Sequence, residues 1–157
     1  MYEFLSWLTL MLLAQWFFGN LYEAVVFVPN LMPFFELTSQ SGEALFKSKK
    51  RSPIVYYVPG GLLAVVLAPT LAAISLGEGR PGTAYIFASC GLLFVGLGIT
   101  FYVVRGINLD LFFKPQSDLN RTRKLLHAWT VLNYVRLTVA AASLIAAILW
   151  IRLSIRS

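Results

Sequence analysis

Charge is scarce in this sequence. Asp, Glu, Lys and Arg together make up 13% of 157 residues, about half the share found in soluble domains. That argues against an ordinary water-solvated surface. Metal-ligating residues are scarcer still, with one histidine, His127, and one cysteine, Cys90. A single cysteine excludes an intramolecular disulfide. One histidine and one cysteine cannot build a structural zinc site, a two-histidine iron site or bis-histidine haem within one copy. A carboxylate site from Glu23 and Asp110 is the remaining metal option; the expectation is no metal and no cofactor. Short alternating apolar segments are also lacking, which argues against a barrel. No internal repeat is present, so an inverted-repeat transporter is disfavoured. The first apolar stretch has no basic residue before it and no clear small-residue cleavage site after it. It is therefore expected to remain in the mature chain.

What is present is long apolar sequence, with 58% of residues hydrophobic. Four segments exceed the roughly 20 residues that cross a hydrocarbon core: 4–30, 53–76, 83–108 and 124–153. Lys47, Lys49, Lys50 and Arg51 fall between the first two, and Lys114, Arg121, Arg123 and Lys124 between the last two. Only Arg80, Arg152 and Arg156 fall on the opposite side. Basic residues concentrate in cytoplasmic connections, so both termini are expected outside. The reading is a single all-α domain, an integral membrane four-helix bundle that is multi-pass in the cell membrane, with both termini on the outer side. The net charge of +6 follows from that distribution and from attraction to membrane lipid, and no nucleic-acid partner is expected.

Two ionisable residues stand inside the apolar runs, Glu23 in the first and Arg136 in the fourth. Charges at such depth are costly and face a partner, a wet cavity or a substrate. At helical spacing Trp16, Asn20, Glu23, Phe27 and Asn30 share one face of the first span. Trp129, Asn133, Arg136 and Ala140 share one face of the fourth. At 1.5 Å per residue, Glu23 lies roughly 10 Å and Arg136 roughly 20 Å from the inner ends of their helices. Helical side chains lean toward their own N-terminus, which narrows that gap. An ion pair flanked by Asn20 and Asn133 is geometrically reasonable. Two readings stay open. The four residues only hold helices together, or they form the polar end of a pocket.

Trp16, Tyr22, Trp129 and Tyr134 lie near these polar faces and are candidates to line a site for a flat lipophilic ligand. Trp7, Tyr85, Tyr102 and Trp150 lie near span ends, as interfacial belts do. His127 is read as an interfacial histidine bonded to a loop, with a general base as the alternative. Gly61, Ala64, Ala68 and Ala72 in the second span, and Ala84, Ala88, Gly91 and Gly98 in the third, form small-residue stripes of the kind that let helices approach. The connections 31–52, with Phe34, Phe35 and Phe46, and 109–123, with Phe112, Phe113 and Pro115, are expected to lie partly on the membrane surface.

Several short pieces resemble the anthrone-oxygenase-like family of small four-helix membrane proteins, most of whose members have no known function. They are Gly19-Asn20-Leu21-Tyr22-Glu23 followed by Pro29, then Gly106-Ile107-Asn108, then His127-Ala128-Trp129 continuing through Asn133 to Arg136. The Trp, Asn and Arg spacing of the last helix is the strongest element. The segment after Asn108 reads Leu-Asp-Leu-Phe-Phe, where the better-known branch carries a proline and an asparagine. The resemblance implies anthrone oxidation, and the scarcity of metal ligands agrees with an oxygenase that needs no metal, since an electron-rich anion can react with oxygen directly. Burial disfavours a charged carboxylate and a nearby guanidinium favours it; that balance makes Glu23 the candidate base, with Arg136, Asn133 and Asn20 holding an oxyanion. Asn108 and His127 join the binding candidates through the same motifs. The alternative is a non-catalytic membrane protein that binds a lipid-like ligand or a partner helix. A homo-oligomer is left open.

Overall fold

The computed structural model describes residues 1–31, 33, 35, 53–114 and 118–154, with no side-chain description for 53–58. Most of the connection 31–52 lies outside these residues, including Phe34, Phe46 and its four basic residues, as do Pro115 and Arg156.

The described residues are helical, with no strand among them. Helix α1 (Tyr2–Tyr22) continues into a π turn, Glu23–Phe27. Helix α2 covers Pro53–Gly77 and contains Pro59 and Pro69. Helix α3 (Thr83–Val103) continues through a second π turn, Val104–Asn108, into the short α4, Leu109–Phe113. Helix α5, Leu119–Ser154, runs for 36 residues. Four helical stretches are long and apolar enough to cross a membrane: Tyr2–Phe27, Pro59–Gly77, Thr83–Phe113 and Leu119–Ser154. At 36 residues α5 is about 54 Å long, more than the roughly 30 Å of a hydrocarbon core. Its exposed first turns, with Asn120, Arg121, Arg123 and Lys124, extend beyond the apolar run.

Two apolar cores hold the bundle. One joins Leu13 and Trp16 of α1, Ala64, Ala68 and Leu71 of α2, Ile86 and Leu93 of α3, and Ala140, Ala147 and Trp150 of α5. The other joins Val28, Leu31 and Phe35 to Val103, Ile107, Phe112, Leu126 and Trp129. Phe35 and Phe112 are therefore buried, and only Phe113 of the expected surface aromatics among the described residues is exposed. Cys90 packs in the first core.

The bundle is pinned where the start of α1 meets the end of α5. The Tyr2 hydroxyl lies 3.2 Å from Ser154 Oγ, and the Arg80 guanidinium sits 3.7 Å over the Tyr2 ring. Tyr2, Ser154 and the 77–82 turn thus share one side. Trp150 does not join an interfacial belt. It is fully buried, with its indole donating to Ser75 Oγ at 3.4 Å. Farther in, Ser89 Oγ donates to the Ser143 carbonyl and Ser143 Oγ to the Ser89 carbonyl, each at 2.9 Å, which locks α3 to α5.

The small-residue stripe of α2 is buried, whereas Ala84, Ala88, Gly91 and Gly98 of α3 are exposed. The inward face of α3 is instead Ile86, Ser89, Leu93 and Gly96. Alanine and glycine are tolerated facing lipid, so the hydroxyl positions mark the inner face better than small size does. Gly96 is the close approach: a Cβ there would lie 2.5 Å from the Trp16 ring.

Candidate functional site

On each of α1, α3 and α5 a polar step separates the two cores. On α1 it is Asn20 and Glu23, between Trp16 and Val28. On α3 it is Thr100, between Leu93 and Val103. On α5 it is Asn133 and Arg136, between Trp129 and Ala140. The apolar residues on both sides fix the rotation of each helix, and that rotation turns all three steps toward one another. Asn20, Glu23, Asn133 and Arg136 are all buried.

The Arg136 guanidinium is the hub. One terminal nitrogen donates to Glu23 Oε2 at 2.5 Å and to Asn133 Oδ1 at 2.8 Å. The other donates to Thr100 Oγ1 at 3.2 Å. The Trp129 indole donates to Glu23 Oε1 at 3.1 Å, and its ring packs edge-on between Phe27 and Phe112. Both carboxylate oxygens of Glu23 are thus held by donors from α5. In low dielectric such charge-assisted bonds are short and geometrically specific.

The set is incompletely satisfied. Asn133 Nδ2 and Arg136 Nε are buried donors without a partner, and Asn108 Oδ1 is a buried acceptor without one. Turning the Asn133 amide over would aim an N–H at the guanidinium, so its oxygen must face Arg136 and its nitrogen must be the one left over. Each unmet buried group costs about 1–3 kcal/mol. Such groups in a native fold call for a water, an ion or a ligand.

Not every candidate from the sequence joins this cluster. Asn20 is buried, but its amide nitrogen donates to the Trp16 carbonyl of its own helix at 2.8 Å. Tyr22, Tyr134 and His127 are exposed. Tyr22 and Tyr134 each precede or follow a cluster residue by one position, which is a rotation of about 100° on a helix. Asn30, expected on the Glu23 face, is also exposed and bonds the Val26 carbonyl at 2.6 Å. The cause is the π turn at Glu23–Phe27. It adds about one residue to a turn, so every later position rotates by about 100°. Val28 and Leu31 come inward as Asn30 leaves. Asp110 is engaged by Lys114 and Arg121 near the surface, and among the described residues no three His, Cys, Asp or Glu residues are grouped to hold a metal.

Thr100 was not singled out by sequence. A signal exists, since Thr100 falls one turn after Gly96 on the same face of the span.

The family model for anthrone oxygenase matches residues 53–146, which is more than half of the chain. The chain belongs to the anthrone oxygenase family. No curated protein and no solved structure matches it. The region matched by the anthrone oxygenase model spans Thr100, Trp129, Asn133 and Arg136 of the cluster and also Asn108, while Asn20 and Glu23 precede it. Membership of this family and four membrane-length apolar helices agree on a membrane protein.

Proposed function

We propose that the protein is a metal-independent oxygenase that takes a small lipophilic carbon acid from the bilayer and oxidises its activated CH₂ to a ketone. One observation carries this reading: two buried donors without partners, Asn133 Nδ2 and Arg136 Nε, belong to the same cluster as a buried carboxylate, Glu23. Glu23 removes a proton from a CH₂ conjugated with a carbonyl. The C–H electron pair moves onto the carbonyl oxygen, and the two donors stabilise the enolate where its charge forms. The electron-rich anion passes one electron to O₂, and the radical pair combines into a carbon-bound peroxide that takes the proton back from Glu23. Loss of water leaves the ketone. One CH₂ and one O₂ become one C=O and one H₂O.

The anthrone skeleton named by the family meets these requirements, being flat, apolar and acidic at carbon. The test is oxygen uptake and quinone formation by purified protein in nanodiscs, measured against the spontaneous oxidation of the same anthrone. Turnover above that background is expected. Its absence across anthrones and related carbon acids ends the oxygenase reading and leaves a binding protein.

The same proposal places the cell membrane around the bundle with both termini outside. Single cysteines at Glu78 and Ser117, in a Cys90→Ser background, check the orientation. An impermeant thiol reagent added to intact cells should label position 78 and spare 117; the reverse pattern inverts the topology.

A further inference from the structure

The π turn of α3 places a residue that the reaction above does not use. In an uninterrupted helix at about 100° per residue, Asn108 would stand about 80° away from Thr100 around the axis. The wider turn over Val104–Asn108 holds about one extra residue. That returns Asn108 to within about 20° of Thr100, the face that meets Arg136. The burial agrees. Asn108 is half-buried with its Oδ1 enclosed, Ile107 and Leu111 on either side are buried, and Leu109 is exposed. The turn therefore carries an amide oxygen into the bundle, where it has no partner.

Its depth can be placed as well. Asn108 lies about 12 Å along α3 from Thr100, and Trp129 lies about 10 Å along the antiparallel α5 from Arg136. Asn108 and Trp129 thus share a level, with Asn133 about one turn away toward Arg136. Both π turns, Glu23–Phe27 and Val104–Asn108, pack against α5 in this stretch. Side chains lean toward the N-terminus of their own helix, so Asn108 leans toward the cluster while Asn133 and Arg136 lean toward Asn108. One end of the stretch offers two unmet donors and the other an unmet acceptor.

We infer that Asn108 is a specificity-determining residue. Its Oδ1 accepts a hydrogen bond from an O–H or N–H group on the bound molecule whose carbonyl oxygen sits at Asn133 and Arg136. The inference rests on the ligand site of the proposed function but not on its chemistry. The favoured ligand is an apolar, flat molecule with an acceptor at one end and a donor one or two ring widths away. A buried water bridging the same groups is the competing occupant.

Binding of unreactive quinones separates these cases without any turnover. The probes are 9,10-anthraquinone and 2-hydroxy-9,10-anthraquinone, titrated against protein in nanodiscs with tryptophan fluorescence as readout. The wild-type protein should bind the hydroxylated probe about tenfold more tightly, the size of one net hydrogen bond. Asn108→Leu should bring the two affinities together by weakening only the hydroxylated probe. Asn108→Asp keeps an acceptor and should keep the preference. Equal affinities in the wild-type protein, no binding of either probe, or a preference that survives Asn108→Leu would overturn the inference, the last being the pattern for water alone. Lost turnover with a retained preference would remove the oxygenase reading and leave this one standing.

Discussion

Arg136→Gln should unfold at clearly lower denaturant than the wild-type protein, with a loss of roughly 3–5 kcal/mol. The guanidinium serves Glu23, Asn133 and Thr100 at once. Removing it leaves a buried carboxylate without its cation and two oxygens without a donor. Glu23→Gln should cost a similar amount, since it strands the cation in turn. The magnitude discriminates between two views of the pair. An ordinary polar contact between membrane helices is worth about 0.6 kcal/mol, because the separated helices find other partners. A loss several times larger means that the charges have no alternative outside this geometry. The double variant Glu23→Met, Arg136→Met supplies the control. It removes both charges at similar volume and should recover most of what each single change loses. Reversible unfolding in mixed micelles gives all four stabilities. Single variants within about 1 kcal/mol of wild type would show that the pair is not the keystone of the bundle.

The parts of this molecule that follow from hydrophobicity and depth were readable in the sequence. The four spans follow from apolar run length, and the approach of Glu23 and Arg136 follows from rise per residue and side-chain lean. The structure holds that pair at 2.5 Å. What could not be read depends on helical phase. A period of 3.6 residues is assumed when faces are assigned, and two π turns break it. The first sends Asn30 outward and brings Leu31 in; the second turns Asn108 inward. Residue size misled in a different way. Ala84, Ala88 and Gly91 look like a packing stripe, yet lipid accepts them equally well, and Ser89 marks the buried face. Trp150 looks interfacial by position near a span end, but Ser75 provides a partner for its indole inside the bundle. The Asn133 amide was legible as a polar neighbour of Arg136. That it is satisfied on one side only depends on atomic geometry that no spacing encodes.

That one-sided amide separates chemistry from architecture. Glu23→Gln removes the proposed base and should lower turnover of an anthrone by 10²–10⁴-fold, the usual contribution of a positioned general base. It also weakens the bundle, so the loss must be read on folded protein, at a temperature below the variant's unfolding. Asn133→Asp tests the oxyanion donor separately from the base. It keeps an oxygen for Arg136 and so preserves the bond that orients the guanidinium. It deletes the N–H donor and sets a carboxylate where the enolate oxygen is to form. Turnover should fall by about 10²–10³-fold, as for loss of an oxyanion donor, and the extra buried carboxylate costs stability as well, so this variant too is read on folded protein. A structural role for the cluster predicts the opposite order, with Glu23→Gln harmful only through unfolding and Asn133→Asp harmless to turnover. Full activity in folded Glu23→Gln removes the base assignment alone. Full activity in Asn133→Asp removes the oxyanion site, and with it the reason for leaving that donor unpaired in the middle of the bundle.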